Sequence, residues 1–474
     1  MAHSSSWLTA CSPWSAFATL AALMTSALVL SYASSSFLNR QAAYEYDDRS
    51  SSDAESPAAA AAAGALVPRK GPGYPPVLAY YITGGHGDCL RVTRLLKAVY
   101  HPRNRYLLHL DAGAGAYERA RLASYARSEQ AFLEYGNVHV AGKGDALDGR
   151  GPSAVAAVLR GAAVLLRVGA DQWRIQPISL GGAALLVPPS LLFFFHKIHE
   201  GAQGGLHCPR GGREGLSPGR PTARSAPGAD WDWLVTLGAA DYPLVTQDDL
   251  LYAFSSVPRD LNFIDHRPDS ETHHVVVLDQ NLLQSTNAEI SFSSGHREKP
   301  DAFELFRGSP WPILSRGFVE HCVAAPDNLP RTLLMYFSNT LDAAEFYFQT
   351  VMANSPRFRN STVNHSVRLD VPPPQGADQQ QSRYDALVGS GAAFAGRVGD
   401  DEALLQRIDE EVLRRPLDGV TPGGWCAAGS GEEGAAECAI GGDIDVVRES
   451  AAGRRLASLI NGLVGTGACD GCKS

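Results

Sequence analysis

Short apolar runs alternate along this chain with longer stripes of helical period. Val77-Leu78-Ala79-Tyr80-Tyr81-Ile82-Thr83 is a run of bulky residues and predicts a buried strand. Gly84-Gly85-His86-Gly87-Asp88 follows as a tight turn, and Leu90, Val92, Leu95, Leu96 and Val99 then put an apolar side on a helix. Tyr106-Leu107-Leu108-His109-Leu110 predicts a second strand, which ends in Asp111. Strand, glycine turn, helix, strand, acid is the βαβ order of a nucleotide-binding half. A helix is expected over Tyr117 to Tyr135, a strand at Val138-His139-Val140, and an apolar helix from Ser153 to Val168. Trp233 to Leu237 is another buried strand, and Pro243, which has no N–H, is expected to end it. That sets Asp241 at the carboxyl end of a strand, where open α/β sheets hold their ligands, although a capping or turn aspartate fits the spacing equally. Beyond it a helix starts at Gln247, a strand is expected at Asn262 to His266, and a final helix near Leu456 to Leu463.

The period fails in two places. Gln172 to Asp230 holds an apolar part broken by Pro188-Pro189 and then a Gly/Arg/Pro-rich run with no helical or strand repeat. So long a structureless loop does not belong inside a compact domain. Gly169-Ala170-Asp171 recurs as Gly228-Ala229-Asp230, so removing the stretch between them would join LLRVGAD to WDWLVTL. Residues 172–230 are therefore expected to be an insertion foreign to the fold, such as a translated unspliced intron. At the other end, Trp14 to Tyr32 is almost uncharged and approaches the roughly 20 residues that span a bilayer. A signal anchor within residues 1–40, behind a short cytoplasmic tail, is the expectation, with a cleaved signal peptide as its rival. Residues 41–75 are small and polar and predict a flexible stem, residues 76–466 the folded domain, and residues 467–474 a tail.

Composition narrows the partners. With 45% hydrophobic residues the 474-residue chain can build one large α/β domain with appendages, and a net charge of −9 does not suggest a nucleic-acid partner. The glycines after the first strand do not make GxGxxG, so a dinucleotide cofactor is not supported. Cys469 and Cys472 have no second pair at zinc spacing, and Cys426 and Cys438 look like a disulfide region, with connectivity open. Asp230-Trp231-Asp232 precedes its strand and Asp443-Ile444-Asp445 lies far along the chain, so neither DxD is read as a metal site.

Candidate chemistry sits on a few side chains. Asp111 can bond a ribose or a base edge, or be a solvated turn residue. Glu345 in DAAEFYFQTV falls at a helix start among aromatic residues, surroundings that would raise its pKa and suit a general base; a plain N-terminal helix acid is the alternative. Trp311 offers a flat face for a sugar ring, or fills core. Arg397 could neutralise a phosphate, or be a surface arginine. His266 reads as structural before it reads as a ligand. Asn360 and Asn364 head N-glycosylation sequons, which agree with the anchor in pointing to the secretory lumen.

Taken together, WDWLVTLGAADYPLVTQDDLL, YHPRNRYLLHLD, PRDLNFIDH, GSPWPILSR, DNLPRTLLMYF and TPGGWC resemble the plant branch of glycosyltransferase family 14, over about residues 76 to 171 and 231 to 465. This family includes the core-2/I-branching enzymes and the protein xylosyltransferases, and its plant members include β-glucuronosyltransferases acting on arabinogalactan proteins. The resemblance implies a GT-A-like, Rossmann-type α/β domain in a type II Golgi membrane protein with its catalytic domain in the lumen. It implies inverting transfer from a UDP-sugar, with no metal and no other cofactor, to a glycan or glycoprotein. Glucuronic acid onto galactan is the expected reaction, UDP-GlcNAc and UDP-xylose are alternative donors, and a non-catalytic pseudoenzyme or misassembled isoform is the alternative to an enzyme. It places the catalytic base at Glu345, the nucleotide and donor contacts at Asp111, Asp241 and Arg397, and the acceptor contact at Trp311. The sequence departs from the family around Glu271 to His296 and at 367–383, where the usual aromatic strand is lacking.

Overall fold

A computed structural model of the chain describes residues 67–147, 151–167, 231–269, 274–278, 293–298, 300–324, 326–370, 372, 377–427 and 438–465. The expected anchor, most of the stem, the 172–230 segment and the 467–474 tail lie outside them. Among the described residues no helix is long and apolar enough to cross a membrane.

The chain is mixed α/β around a seven-stranded, mainly parallel sheet. Its strands are β1 (Leu78–Gly84), β2 (Arg105–Leu110), β3 (Val138–Val140), β4 (Trp233–Gly238), β6 (Asn262–Phe263), β11 (Ile313–Ser315) and β12 (Thr362–Val363), in the order β12-β6-β11-β4-β1-β2-β3. β1 pairs in parallel with both β2 and β4, and β11 runs antiparallel to β4. The chain leaves β1 towards β2 and β3, then returns on the other side of β1 with β4. The carboxyl ends of β1 and β4 thus form a topological switch point, where α/β sheets open a ligand crevice.

Alternation along the central strands builds two cores. Leu78, Tyr80 and Ile82 of β1 join Trp233, Val235 and Leu237 of β4 in one; Ala79, Tyr81 and Leu234 join the other. The first face is covered by α1 (Cys89–Ala98), α5 (Gln247–Ser255) and α8 (Ala451–Gly465), the second by α4 (Ser153–Arg167), α6 (Arg316–Ala324) and α7 (Ala343–Ala353). Each fully buried Leu, Ile or Val contributes about 1.5–3 kcal/mol. A three-stranded sheet of β13 (Arg368–Asp370), β14 (Phe394–Gly396) and β5 (Tyr242–Pro243) lies beside the crevice, and two ribbons, β7 (Arg267–Pro268) with β10 (Phe306–Arg307) and β8 (His274–Leu278) with β9 (Ser293–Glu298), complete the pairing.

Several expectations change in detail. β4 stops at Gly238, before Pro243, because Asp241 folds back to accept the Gly238 N–H at 2.7 Å; Pro243 then sits inside a short strand. Leu90 points outward at 61% exposure, since it lies about 200° around the helix from Val92. The helix expected over Tyr117 to Tyr135 is two, α2 (Gly115–Ser128) and α3 (Gln130–Tyr135), divided where Glu129 is extended. At 367–383 a short strand, β13, is present, with no aromatic residue in it. Cys426 and Cys438 form a disulfide. At the amino end of the sheet Arg69 pairs with Asp443 and Asp445, so residues ending the expected stem are bound to the domain.

Candidate active site

The crevice starts with the glycine turn. A side chain at Gly84 would meet Val92 at 2.8 Å, Asp88 at 2.9 Å and Leu110 at 3.1 Å, so only glycine lets β1 turn this tightly into α1. Asp88 accepts the Gly85 N–H at 2.8 Å and pairs with Arg91 at 3.1 Å. One strand over, the Asp111 N–H donates to the Gly84 carbonyl at 2.9 Å, and Asp111 Oδ1 accepts the Ala114 N–H at 3.1 Å. Its Oδ2 lies towards Gly85 and has no partner among the described residues. One oxygen anchors the loop and the other is left open at the strand end.

Asp241 stands on the other side of β1. It is buried, and Arg368 clamps both its oxygens, with Nη1 to Oδ2 at 2.7 Å and Nη2 to Oδ1. Burial pushes the Asp241 carboxyl up, against the guanidinium that pulls it down. The Arg368 guanidinium carbon also lies 5.0 Å from the Trp311 ring centroid, a cation–π contact. Trp311 in turn covers Gly238, where a Cβ would lie 3.2 Å from the indole. Arg397 follows β14 in the left-handed region at φ +58° and is exposed. Val398 and Gly399 both donate to the Ala240 carbonyl, at 2.8 and 3.0 Å, which fixes this turn against the Asp241 loop. Asp400 then pairs with Arg91 of α1, so the 394–400 segment bridges the two sides of the crevice.

Glu345 occupies the first turn of α7, after Asp342 in the left-handed conformation at φ +54°. Arg307 donates to its Oε2 from Nε at 2.7 Å and from Nη2 at 2.6 Å. Oε1 has no partner among the described residues, and the side chain is 32% exposed. The expected apolar surroundings are not what it has: its carboxylate meets a guanidinium, and its aromatic neighbours Tyr347 and Phe348 turn into the core. The Gly308 N–H donates to the Glu345 carbonyl at 2.9 Å and Gln349 donates to the Ser309 carbonyl at 2.7 Å, tying the start of α7 to the loop that carries Trp311.

The structure therefore links Asp241 to Trp311 through Arg368 and Gly238, holds the Arg397 turn against the neighbouring Ala240, sets Asp111 at the neighbouring strand end, and links Glu345 to them through residues 308–311. Arg368 and Arg307 were not singled out by sequence; a lone charge in a short segment such as SVRLD carries no periodic signal. His266 is structural, with Nδ1 3.0 Å from the Ile264 carbonyl and its ring against Phe306. Asn360 and Asn364 are exposed beside the edge strand β12, and the Asn364 Oδ1 accepts the His266 N–H at 2.8 Å. The acids of the two DxD sequences that are described face arginines: Asp232 meets Arg259 at 2.8 Å, and Asp445 pairs with Arg69 and Arg103.

The family model of the Core-2/I-branching enzyme matches residues 78–175 and 225–371. The chain belongs to the Core-2/I-branching enzyme family. Among its Core-2/I-branching relatives, the beta-glucuronosyltransferase GlcAT14A of Arabidopsis thaliana is 38% identical over 83% of this chain and 76% of its own length. GlcAT14B of the same plant is 36% identical over 82% and 78%. Xylosyltransferase 2 of Canis lupus familiaris is 27% identical over 62% of this chain and 26% of that protein.

Proposed function

We propose that this chain is an inverting glycosyltransferase of GT-A-like fold that moves glucuronic acid from its UDP-sugar to galactan chains of arabinogalactan proteins. The observation that carries this reading is the match to beta-glucuronosyltransferases, 38% identical over 83% of this chain, beside a family match whose bounds take in Asp111, Asp241, Trp311 and Glu345. In the proposed reaction Glu345 Oε1 takes the proton from an acceptor hydroxyl. The freed oxygen attacks the anomeric carbon, the bond to UDP breaks, and UDP departs with the electron pair from the opposite face. Asp111 Oδ2 bonds the nucleoside, Arg397 neutralises the diphosphate in place of a divalent ion, and Trp311 supports the acceptor sugar. Asp241 shapes the donor end of the crevice.

The setting we propose is a type II Golgi membrane protein with an anchor at Trp14 to Tyr32, a lumenal domain and glycans at Asn360 and Asn364. Residues 172–230 are proposed as a foreign insertion; the family match leaves 176–224 uncovered, which supports this. The test is UDP release from UDP-glucuronic acid with a galactan acceptor in EDTA, for the full chain and for a form lacking 172–230. Turnover of that donor is expected. UDP binding with no donor consumed by either form would overturn the enzyme reading in favour of a pseudoenzyme.

A further inference from the structure

The ribbon beside Glu345 carries two arginines in register. Arg307 of β10 stands directly opposite Arg267 of β7, so their side chains share a face of the ribbon. Like charges directly opposite each other on an antiparallel pair are destabilising, and a third anion between them relieves this. On the Arg307 side Asp342 lies 3.7 Å from Nη2, and the nearer anion is Glu345. It engages Arg307 through Nε and Nη2, and leaves the Nη1 edge of that guanidinium unused among the described residues. The Arg267 side chain is exposed and has no hydrogen-bond or ion-pair partner among the described residues. The exposed Arg267 side chain and the Nη1 edge of Arg307 thus lie on the ribbon face that carries the Arg307–Glu345 pair. Arg368 is not an alternative reader, because both its Nη atoms are held by Asp241 and its Nε by Asp370 at 3.2 Å.

We propose that Arg267 and the free edge of Arg307 form a subsite for a sugar carboxylate, namely the uronate group of the donor. This inference rests on the proposed glucuronosyl transfer. In a hexuronate ring the carboxylate and the anomeric carbon flank the ring oxygen. A cation pair beside the base therefore holds the acid end of the donor while the anomeric carbon faces the acceptor. A planar guanidinium pairs with a carboxylate through two parallel N–H bonds, and a primary alcohol at the same place offers no charge to match. The subsite would then separate UDP-glucuronic acid from UDP-glucose, which differ at that carbon alone.

The experiment compares those two donors with the full chain and its Arg267→Gln variant, by kcat/KM for UDP release on a galactan acceptor. Arg267 is exposed, so the variant is expected to fold, and a thermal melt together with UDP binding checks that it does. Losing a charged hydrogen-bond donor is expected to cut the preference for the uronate donor by about 10- to 100-fold. Arg307→Lys, which keeps the charge and loses the planar fork, is expected to keep more of the preference than Arg307→Gln. A wild-type preference that Arg267→Gln leaves intact, or an equal fall for both donors, overturns the subsite alone. A wild type that binds UDP and consumes neither uronate nor glucose donor overturns the glucuronosyl reading and the subsite together.

Discussion

Two carboxylate–guanidinium pairs flank the crevice, and they are built differently. Asp241 is buried with both oxygens held, by Arg368 and by the Gly238 N–H. Glu345 is a third exposed and is held by one oxygen only. A buried carboxylate with three hydrogen bonds on its two oxygens fixes a loop. One anchored by Oε2 is oriented, and it still presents Oε1 to an incoming hydroxyl. The same contrast separates the ends of the sheet. At the amino end a cavity of about 720 Å³ is lined in part by Asp232, Arg259 and Asp445, charges that are already engaged with each other or with Arg69 and Arg103. At the carboxyl end Arg267, Asp111 Oδ2 and Glu345 Oε1 remain without partners among the described residues. The charges lining the first are spent on each other, and those at the second are not.

The largest expected effect breaks the first pair. Arg368→Gln strands a buried Asp241 charge and is expected to cost about 3–5 kcal/mol at neutral pH by denaturant unfolding. The deficit has a pH signature. Burial already raises the Asp241 carboxyl, and removing Arg368 raises it further, so the variant favours the protonated form. A raised group contributes stability below its unfolded value and loses it as pH rises through the folded one. The deficit of Arg368→Gln against wild type is therefore expected to shrink as pH falls from neutral towards the ordinary carboxylate range. A deficit flat across that window would mean that Asp241 is not the group left unpaired. At the smaller end, Trp311→Ala removes the indole from Gly238 and from Arg368. It is expected to weaken acceptor affinity a few-fold to about ten-fold, the scale of one aromatic contact, in an isothermal titration with galactan oligosaccharide. No change in affinity would assign Trp311 to packing alone.

The sequence made the scaffold legible because its signal is periodic. The apolar run of β1, the glycine turn and the apolar stripe of α1 lie in one continuous stretch, and the buried run of β4 is as plain. Asp111 and Asp241 could be placed because one directly follows such a run and the other comes three residues after its strand. The partners could not. Arg368 lies 127 residues from Asp241, and Arg307 38 residues from Glu345. These pairings are made by β13 joining β14, and by β10 packing against α7. The aromatic neighbours of Glu345 misled for the same reason. In a helix of 3.6 residues per turn, Tyr347 and Phe348 face the core while Glu345 faces Arg307.

In the proposed reaction Glu345 takes the proton and Arg307 only orients it. The most direct measurement is the pair kcat and UDP affinity for Glu345→Gln in the full chain, with UDP-glucuronic acid and galactan. The amide keeps the shape and loses the basicity. kcat is expected to fall by about 10²- to 10⁴-fold, with UDP affinity and melting temperature near those of wild type. A variant that turns over the donor within a few-fold of the wild-type rate would contradict the account, and the base would have to be sought elsewhere in the crevice.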